Sequence, residues 1–419
     1  MNAPIHLVCR WTALSLLAFG LGTLALVAQD DISDAEFDAL MEDDAAFEAF
    51  LEDEEAFEAW LEDEFSGLDF SAYARLGVGH SNNVLLSPMF PQSAEFARTD
   101  LELFLMQYPD EKGEFYAFLS GMDIRYSDVE DAEKEVMWIA DTQWKRNLGD
   151  RLSGLLHAQY IYFDQIIDLS DQSDFLRRER VQYTGYGLGT GGEVILEKGN
   201  ELSLELMAVQ EDYSLLGEDI KTFSILAWKR DLWKEAEMEL KFRKENRDYD
   251  DRTIRDENGN SIGQDTLLEM DRTSLALEWN QTWGKSKAID SSLEFKVLEN
   301  RDNGVGYYDY DRWSVDLRID GEWDKWESSL TLGWDDSEYV LQKAARFSTV
   351  PREQKDLYGE LLLKRKLSKR FSVYLLLEYE ESSSNVLLKD ERLGAGEFED
   401  DFDAFGGTLG FQIDLWGEP

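Results

Sequence analysis

The sequence predicts an all-β fold: a transmembrane, antiparallel, up-and-down β-barrel of about 16 strands, preceded by a short acidic segment with an amphipathic helical pattern. Three observations predict it. The chain begins like an exported protein yet has no later apolar run long enough for a membrane-spanning helix. Apolar and polar residues alternate over long segments, and the connections between these segments alternate between short and long.

The N-terminus predicts a cleaved signal peptide at residues 1–28. Arg10 is the only charged residue before Asp30, and it precedes the apolar run 11–27. Ala28 provides a small residue for cleavage. An uncleaved anchor is the alternative, but the run is shorter than the roughly 20 apolar residues that span a bilayer as a helix.

Few residues suit catalysis. Cys9, the only cysteine, lies inside the predicted signal, so the processed chain has no thiol for a disulfide, a nucleophile or a metal. His80 and His157 lack a neighbouring nucleophile motif, and the glycine-rich run 185–192 lacks the Lys-Ser/Thr of a phosphate loop. We therefore expect neither an enzyme nor a cofactor. The net charge of −46 argues against nucleic acid as a partner.

An acidic leader follows at residues 29–68. Its residues 30–64 hold 17 Asp or Glu and no Lys or Arg. Apolar residues recur at i, i+3 and i+4, as in Phe37, Leu40 and Met41, which predicts one face of a helix. Like charges four residues apart weaken that helix, so the leader is expected to be partly helical or disordered. Three interpretations of the leader stay open: a solvated acidic prefix, a docking segment for a basic partner, or a segment that caps the barrel mouth.

From residue 69 onward the period is two residues. Alternation over about 9–14 residues matches strands that cross a bilayer at a tilt, which need roughly 9–11 residues. The clearest segments are 202–208, 236–242, 275–279, 293–297, 313–319, 371–377 and 409–415.

The connections predict a barrel rather than a sandwich, because all the short ones fall at one end. Seven tight turns are expected near 109–110, 147–150, 198–200, 230–232, 284–287, 324–325 and 368–369. Eight long loops are expected at 81–95, 127–134, 164–177, 211–219, 248–266, 300–309, 338–353 and 383–400. Seven turns alternating with eight loops give sixteen strands, with both chain ends on the short-turn side.

Aromatic residues cluster near the short turns and the C-terminus. Such residues collect at membrane–water interfaces because they combine an apolar body with a polar tip. The predicted interface aromatics are Trp144, Trp228, Trp233, Trp283, Trp323, Trp326, Phe371 and Trp416.

The final segment, Thr408 to Trp416, resembles the terminal strand signal of outer-membrane β-barrel proteins. The chain is similar to porin-like members of that class over roughly residues 70 to 416, which implies an outer-membrane barrel domain at 69–419. The stretch Gly77 to Val84 resembles the opening of porin-like barrels associated with exopolysaccharide systems. These resemblances imply an outer-membrane location, contact with membrane lipid, insertion by the barrel-assembly machinery, and a periplasmic position for the leader. A basic periplasmic protein is then a candidate partner for residues 30–64.

Polar residues on the alternate face predict the wall of an aqueous lumen. The predicted pore-lining residues are Glu237, Glu239, Lys241, Arg243, Arg272, Glu278, Glu294, Lys296, Asp316, Arg318, Glu360, Lys364 and Glu378. The expected function is passive diffusion of ions or small polar solutes, with a preference for cations because acids predominate. Two alternatives stay open: an accessory or conduit barrel in exopolysaccharide export, and a structural or adhesive surface barrel.

The acidic stretches 248–251 and 256–260 predict a solvated loop, with weak divalent-cation binding as the alternative.

Overall fold

The computed structural model describes residues 68–416, except for 87–90, 108–112, 128, 130–132, 169–177, 198, 215–216, 264–265, 285–288, 345–347, 390–396 and 400. The predicted signal peptide, the acidic leader before Leu68 and the predicted turn at 109–110 lie outside the described residues, as does the side chain of Trp416.

Within the described residues the chain is built from β-strands. Their bounds are β1 (Leu68–Ser81), β2 (Ala94–Gln107), β3 (Gly113–Tyr126), β4 (Lys134–Gly149), β5 (Leu152–Asp168), β6 (Arg178–Glu197), β7 (Asn200–Tyr213), β8 (Gly217–Trp233), β9 (Ala236–Thr253), β10 (Leu267–Trp283), β11 (Ile289–Asp302), β12 (Tyr310–Trp323), β13 (Trp326–Lys343), β14 (Pro351–Lys366), β15 (Phe371–Ser384), β16 (Leu387–Lys389), β17 (Glu397–Glu399) and β18 (Phe402–Trp416). No helix among these residues is long and apolar enough to cross a membrane.

Sixteen of these strands, β1–β15 and β18, form a closed barrel in which neighbours pair antiparallel in chain order. The barrel closes where β1 pairs with β18, from Ala72 opposite Trp416 to Ser81 opposite Gly406. Closure leaves no strand edge with unpaired backbone groups, which lipid could not satisfy. The predicted sixteen-stranded antiparallel barrel is confirmed. The short strands β16 and β17 form a separate hairpin in the last long connection.

Burial is inverted relative to a water-soluble protein. Large apolar side chains face outward, with Leu188 70% and Leu409 64% exposed. Polar side chains on the alternate face are enclosed, with Asn300 0% and Gln412 2% exposed. Because successive side chains of a strand point to opposite faces, one rhythm in the sequence produces both surfaces. An apolar belt around a closed barrel is the surface that a lipid bilayer covers.

The strands run further than the sequence suggests on the long-loop side. The predicted long loop at 211–219 is wrong, because β7 and β8 remain paired as far as Tyr213 opposite Gly217. The polar residues that indicated a loop belong to strand ends: Glu211 and Asp219 are only 2% exposed on the inner face. The turn predicted at 230–232 is also displaced. Strand β8 continues through a register shift to Trp233, and β9 begins at Ala236.

Candidate functional site

The candidate functional site is the inner face of the barrel. Alternation and strand register place all of the predicted pore-lining residues on the face opposite the exposed Leu, Phe and Trp side chains. They come from strands β9, β10, β11, β12, β14 and β15. Their contact with a permeating solute stays a prediction.

The register brings four of these residues into one continuous row. Glu239 of β9 lies opposite Glu278 of β10, and Glu278 lies opposite Glu294 of β11. Glu294 in turn lies opposite Asp316 of β12. We call Glu239, Glu278, Glu294 and Asp316 the inner carboxylate row. Like charges placed directly opposite each other destabilise a sheet, so four in succession are retained at an energetic cost.

Cations compensate only part of the inner carboxylate row. Lys241 Nζ lies 2.7 Å from Glu278 Oε2 and 3.2 Å from Glu239 Oε2. For Glu294 and Asp316, no Lys, Arg or His nitrogen of the described residues lies within 4.0 Å. The Tyr358 hydroxyl donates a hydrogen bond to Asp316 from two strands away. Gly333 lies on β13, between the strands of Asp316 and Tyr358. A Cβ at Gly333 would collide with the Tyr358 ring, so glycine leaves room for this contact.

The other predicted pore-lining residues form local pairs or stand alone. Arg243 contacts Glu245 at 2.7 Å, and Arg318 contacts Asp320 at 2.7 Å. Lys364 pairs with Glu327, and Glu378 accepts a bond from Arg98 at 2.9 Å. Glu237 pairs with Lys229 at 2.8 Å. Arg272 donates to Asn300 at 2.9 Å. Lys296 and Glu360 have no ion pair among the described residues.

A second ionic cluster was not predicted from the sequence, because residues 211–219 were expected to form a loop. Arg247 Nη2 lies 2.6 Å from Asp219 Oδ2 and 3.0 Å from Glu211 Oε2. Lys221 Nζ lies 2.6 Å from Glu211 Oε1, which also accepts the Tyr183 hydroxyl at 2.7 Å. The two acids and two bases neutralise each other near the long-loop end of the lumen. Continued alternation through Val209 and Glu211 was the available signal for this inner-face position.

His157 of β5 lies on the inner face between two carboxylates that the sequence did not pair with it. Its Nε2 lies 2.7 Å from Asp141 Oδ2 and its Nδ1 lies 2.6 Å from Glu205 Oε1. Glu205 belongs to β7, so the contact crosses β6. Gly189 of β6 makes this possible, because a Cβ there would lie 3.3 Å from Glu205 Oε1. The glycine-rich run therefore makes room for side chains of its neighbours.

Seven of the predicted interface aromatics have described side chains, and all lie near the short-turn end. Six are exposed: Trp144, Trp233, Trp283, Trp323, Trp326 and Phe371. Trp228 is half-buried. Trp233 packs edge-on against Trp279 with ring centroids 5.4 Å apart, which fixes it on the outer face after the register shift in β8. A headgroup-level position for these rings stays a prediction.

At the short-turn mouth the inner face borders a cavity of about 920 Å³. Its lining includes Asp231, Glu237, Asn280, Arg318 and Asp320. These side chains come from the inner faces of β8, β9, β10 and β12, and β11 between them also lines the cavity. The space is therefore bounded by groups that water and ions can solvate.

In the loop between β9 and β10, Asp256 organises a turn. Its Oδ1 accepts hydrogen bonds from the backbone N–H groups of Asn258 and Asn260, both at 2.9 Å. The bonds from Asn260 and Asn258 lower the pKa of Asp256 below its ordinary value. Among the residues that the structure describes, no group of three or more His, Cys, Asp or Glu side chains is placed to hold a metal ion. Weak divalent binding by this loop stays a prediction.

No protein-family model and no curated protein matches the sequence. Solved structures with a similar fold include OccAB1 of Acinetobacter baumannii, at 8% identity over 83% of this chain and 97% of that one, with a TM-score of 0.45. The anion-selective porin of Comamonas acidovorans is similar at 10% identity over 83% and 99%, with a TM-score of 0.39. A bacterial polysaccharide outer membrane secretin is similar at 10% identity over 82% and 98%, with a TM-score of 0.38. Resemblances this distant do not extend to function.

The barrel itself defines the class of protein. A closed, even-numbered, antiparallel barrel with an apolar outer belt and a polar interior has the architecture of a porin-like outer-membrane barrel.

Proposed function

We propose that this protein is an outer-membrane channel for the passive diffusion of ions and small polar solutes, and that it prefers cations. The observation that carries the cation preference is the inner carboxylate row. A sheet that keeps four opposed carboxylates on its enclosed face accepts a loss of stability. Charged side chains in a pore select ions of the opposite sign.

The width of the barrel supports a conducting lumen. Sixteen strands enclose more space than inward side chains alone can fill, which leaves room for water. The inner carboxylate row also has fewer cations than acids: Lys241 contacts Glu239 and Glu278, while Glu294 and Asp316 lack an ion pair among the described residues. A mobile cation in the lumen supplies the missing countercharge.

Reversal potentials of the refolded, signal-free protein in a planar bilayer test this proposal. Under a potassium chloride gradient the wild type should show a potential of cation-selective sign. The double substitution Glu278→Gln and Glu294→Gln should lower the cation-to-anion permeability ratio by at least about fivefold, because each unit charge a few ångströms away in water is worth about 1 kcal/mol, which is a factor of about five.

The control is Glu338→Gln with Glu353→Gln. These two acids also lie directly opposite each other, but on the outer face. The control removes the same charge and should leave the permeability ratio unchanged. An absence of cation bias in the wild type would reject the charge argument. An absence of any conductance would reject the channel and favour a structural barrel.

A further inference from the structure

An arginine near the long-loop end of β14 is buried without a countercharge. Arg352 is 4% exposed. Its Nη1 donates to Gln342 Oε1 at 3.4 Å and its Nη2 to Gln354 Oε1 at 3.0 Å. Its Nε is buried and has no hydrogen-bond partner. Within the described part of the chain, no carboxylate oxygen lies within 4.0 Å of this guanidinium.

A second arginine stands beside it at the same end of the barrel. Arg312 of β12 donates from Nε to Ser337 Oγ at 2.8 Å, and among the described residues it too has no carboxylate within 4.0 Å. Ser337 is paired directly with Gln354, the partner of Arg352. Strand β13 therefore lies between the two arginines: Arg312 bonds Ser337 of β13, and Arg352 bonds Gln354, which pairs with Ser337.

Two tyrosines connect the arginines. The Tyr310 and Tyr339 rings lie 5.4 Å apart at their centroids. Arg312 Cζ lies 5.3 Å from the Tyr310 ring centre, and Arg352 Cζ lies 4.9 Å from that of Tyr339. The order is thus guanidinium, ring, ring, guanidinium. By strand alternation, Arg312 and Arg352 share the inner face with Asp316 and Tyr358 respectively.

Several other inner arginines are paired with carboxylates. Arg98 lies 3.0 Å from Asp100, Arg243 lies 2.7 Å from Glu245, and Arg247 lies 2.6 Å from Asp219. The chain carries 88 acids, so carboxylates are plentiful, yet none is supplied to Arg352 and Arg312. A buried charge without a partner is strongly unfavourable, and a ligand of opposite charge relieves that cost.

We propose that Arg312 and Arg352 form an anion site at the long-loop mouth of the lumen, and that it takes the carboxylate group of a small solute. The planar guanidinium matches a carboxylate through paired N–H donors. A monoanion is favoured over a phosphate dianion, because the strongly acidic chain repels the higher charge more. The proposal rests on the proposed channel function, since the solute reaches the site through the lumen.

Thermal unfolding of the full signal-free protein, refolded in detergent, tests the site without requiring conduction. The probes are sodium acetate, acetamide as its uncharged counterpart and inorganic phosphate, at constant ionic strength set with sodium chloride. Acetate should raise the Tm with a saturable dose dependence, because a ligand bound only by the folded state stabilises it. Acetamide should not raise the Tm.

Substitutions then assign the effect to the two arginines. Arg352→Gln and Arg312→Gln should each weaken the apparent acetate affinity about tenfold or more, since hydrogen bonds to charged groups are stronger than neutral ones. Arg301→Gln is the control, because Arg301 lies near the same end of the barrel but on the outer face, where it is paired with Glu299 and Asp311. It should keep the wild-type response.

Several results would overturn the site. They are an equal response to acetate and acetamide, an unchanged acetate response in both arginine variants, or a response to phosphate in place of acetate. If Arg352→Gln does not fold, the acetate response of Arg312→Gln alone tests the site. Arg312 is only half-buried, so its substitution should disturb folding less. Bilayer conductance is measured separately, so acetate binding without conduction would reject the channel while keeping the anion site.

Discussion

Two rows of opposed carboxylates occupy opposite faces of one sheet. The inner carboxylate row crosses β9 to β12. The second row crosses β11 to β14: Glu299 lies opposite Asp311, Asp311 opposite Glu338, and Glu338 opposite Glu353. We call Glu299, Asp311, Glu338 and Glu353 the outer carboxylate row. Backbone pairing and formal charge are the same in both rows, so only their surroundings differ.

Exposure separates the two rows. Glu299 and Asp311 side chains are each 58% exposed, whereas those of Glu239 and Glu278 are each 20% exposed. Water and salt screen the outer charges, which reduces their mutual repulsion and their effect at a distance. The enclosed charges are screened less, so they keep more of their mutual repulsion and more of their effect on ions at a distance. The same sequence feature therefore has functional consequences only on the face that encloses it.

The largest expected difference concerns arginines that bridge two acids. Arg247 bridges Glu211 and Asp219 inside the barrel, and Arg301 bridges Glu299 and Asp311 outside, at 2.5 and 2.7 Å. Arg247→Met should lower the free energy of unfolding by about 3–5 kcal/mol, because it leaves a buried carboxylate unpaired. Arg301→Met should lower it by about 0–1 kcal/mol. Urea titration of the refolded variants measures both.

Adding Asp219→Asn to Arg247→Met provides the check on the cause. No other Lys, Arg or His nitrogen of the described residues lies within 4.0 Å of Asp219, so neutralising it should restore part of the lost stability. Equal losses for Arg247→Met and Arg301→Met would show that enclosure does not distinguish the two faces.

A smaller effect should appear in the salt dependence of selectivity. Raising potassium chloride from about 0.1 M to about 1 M shortens the screening length from about 10 Å to about 3 Å. The cation preference of the wild type should decline over that range. In the variant lacking Glu278 and Glu294 carboxylates the decline should be shallower, and in the Glu338 and Glu353 variant it should match the wild type. A salt-independent preference would contradict an electrostatic origin.

The smallest expected effect is local and concerns Asp256, an acid stabilised by N–H donors rather than by a cation. Its lowered pKa means that the hydrogen-bonded turn is stabilised above the ordinary Asp pKa of about 3.9 and loses that support as pH falls through the lower folded value. NMR resonances of the Asn258 and Asn260 amides should report the transition. They should lose this pH dependence in Asp256→Asn, while barrel resonances stay unchanged in both proteins.

The sequence by itself determined the strand number, the side of the short turns and the face on which each predicted pore-lining residue lies. Alternation such as Leu275, Leu277 and Trp279 against Glu278 suffices, because side chains of a strand point to opposite faces in turn. The sequence-based prediction was wrong at 211–219. The acidic residues Glu211 and Asp219 suggested a loop, because their partner Arg247 lies 28 or more positions away in the chain.

Only the tertiary structure decided which residues stand opposite each other. A slip of two residues between neighbouring strands keeps every side chain on its face, so alternation permits it. The same slip would separate Glu278 from Glu294, and would move His157 and Glu205 out of reach across Gly189. Register depends on the hydrogen-bonded closure of the whole barrel, and so the inner carboxylate row and the uncompensated Arg312 and Arg352 follow from the assembled sheet.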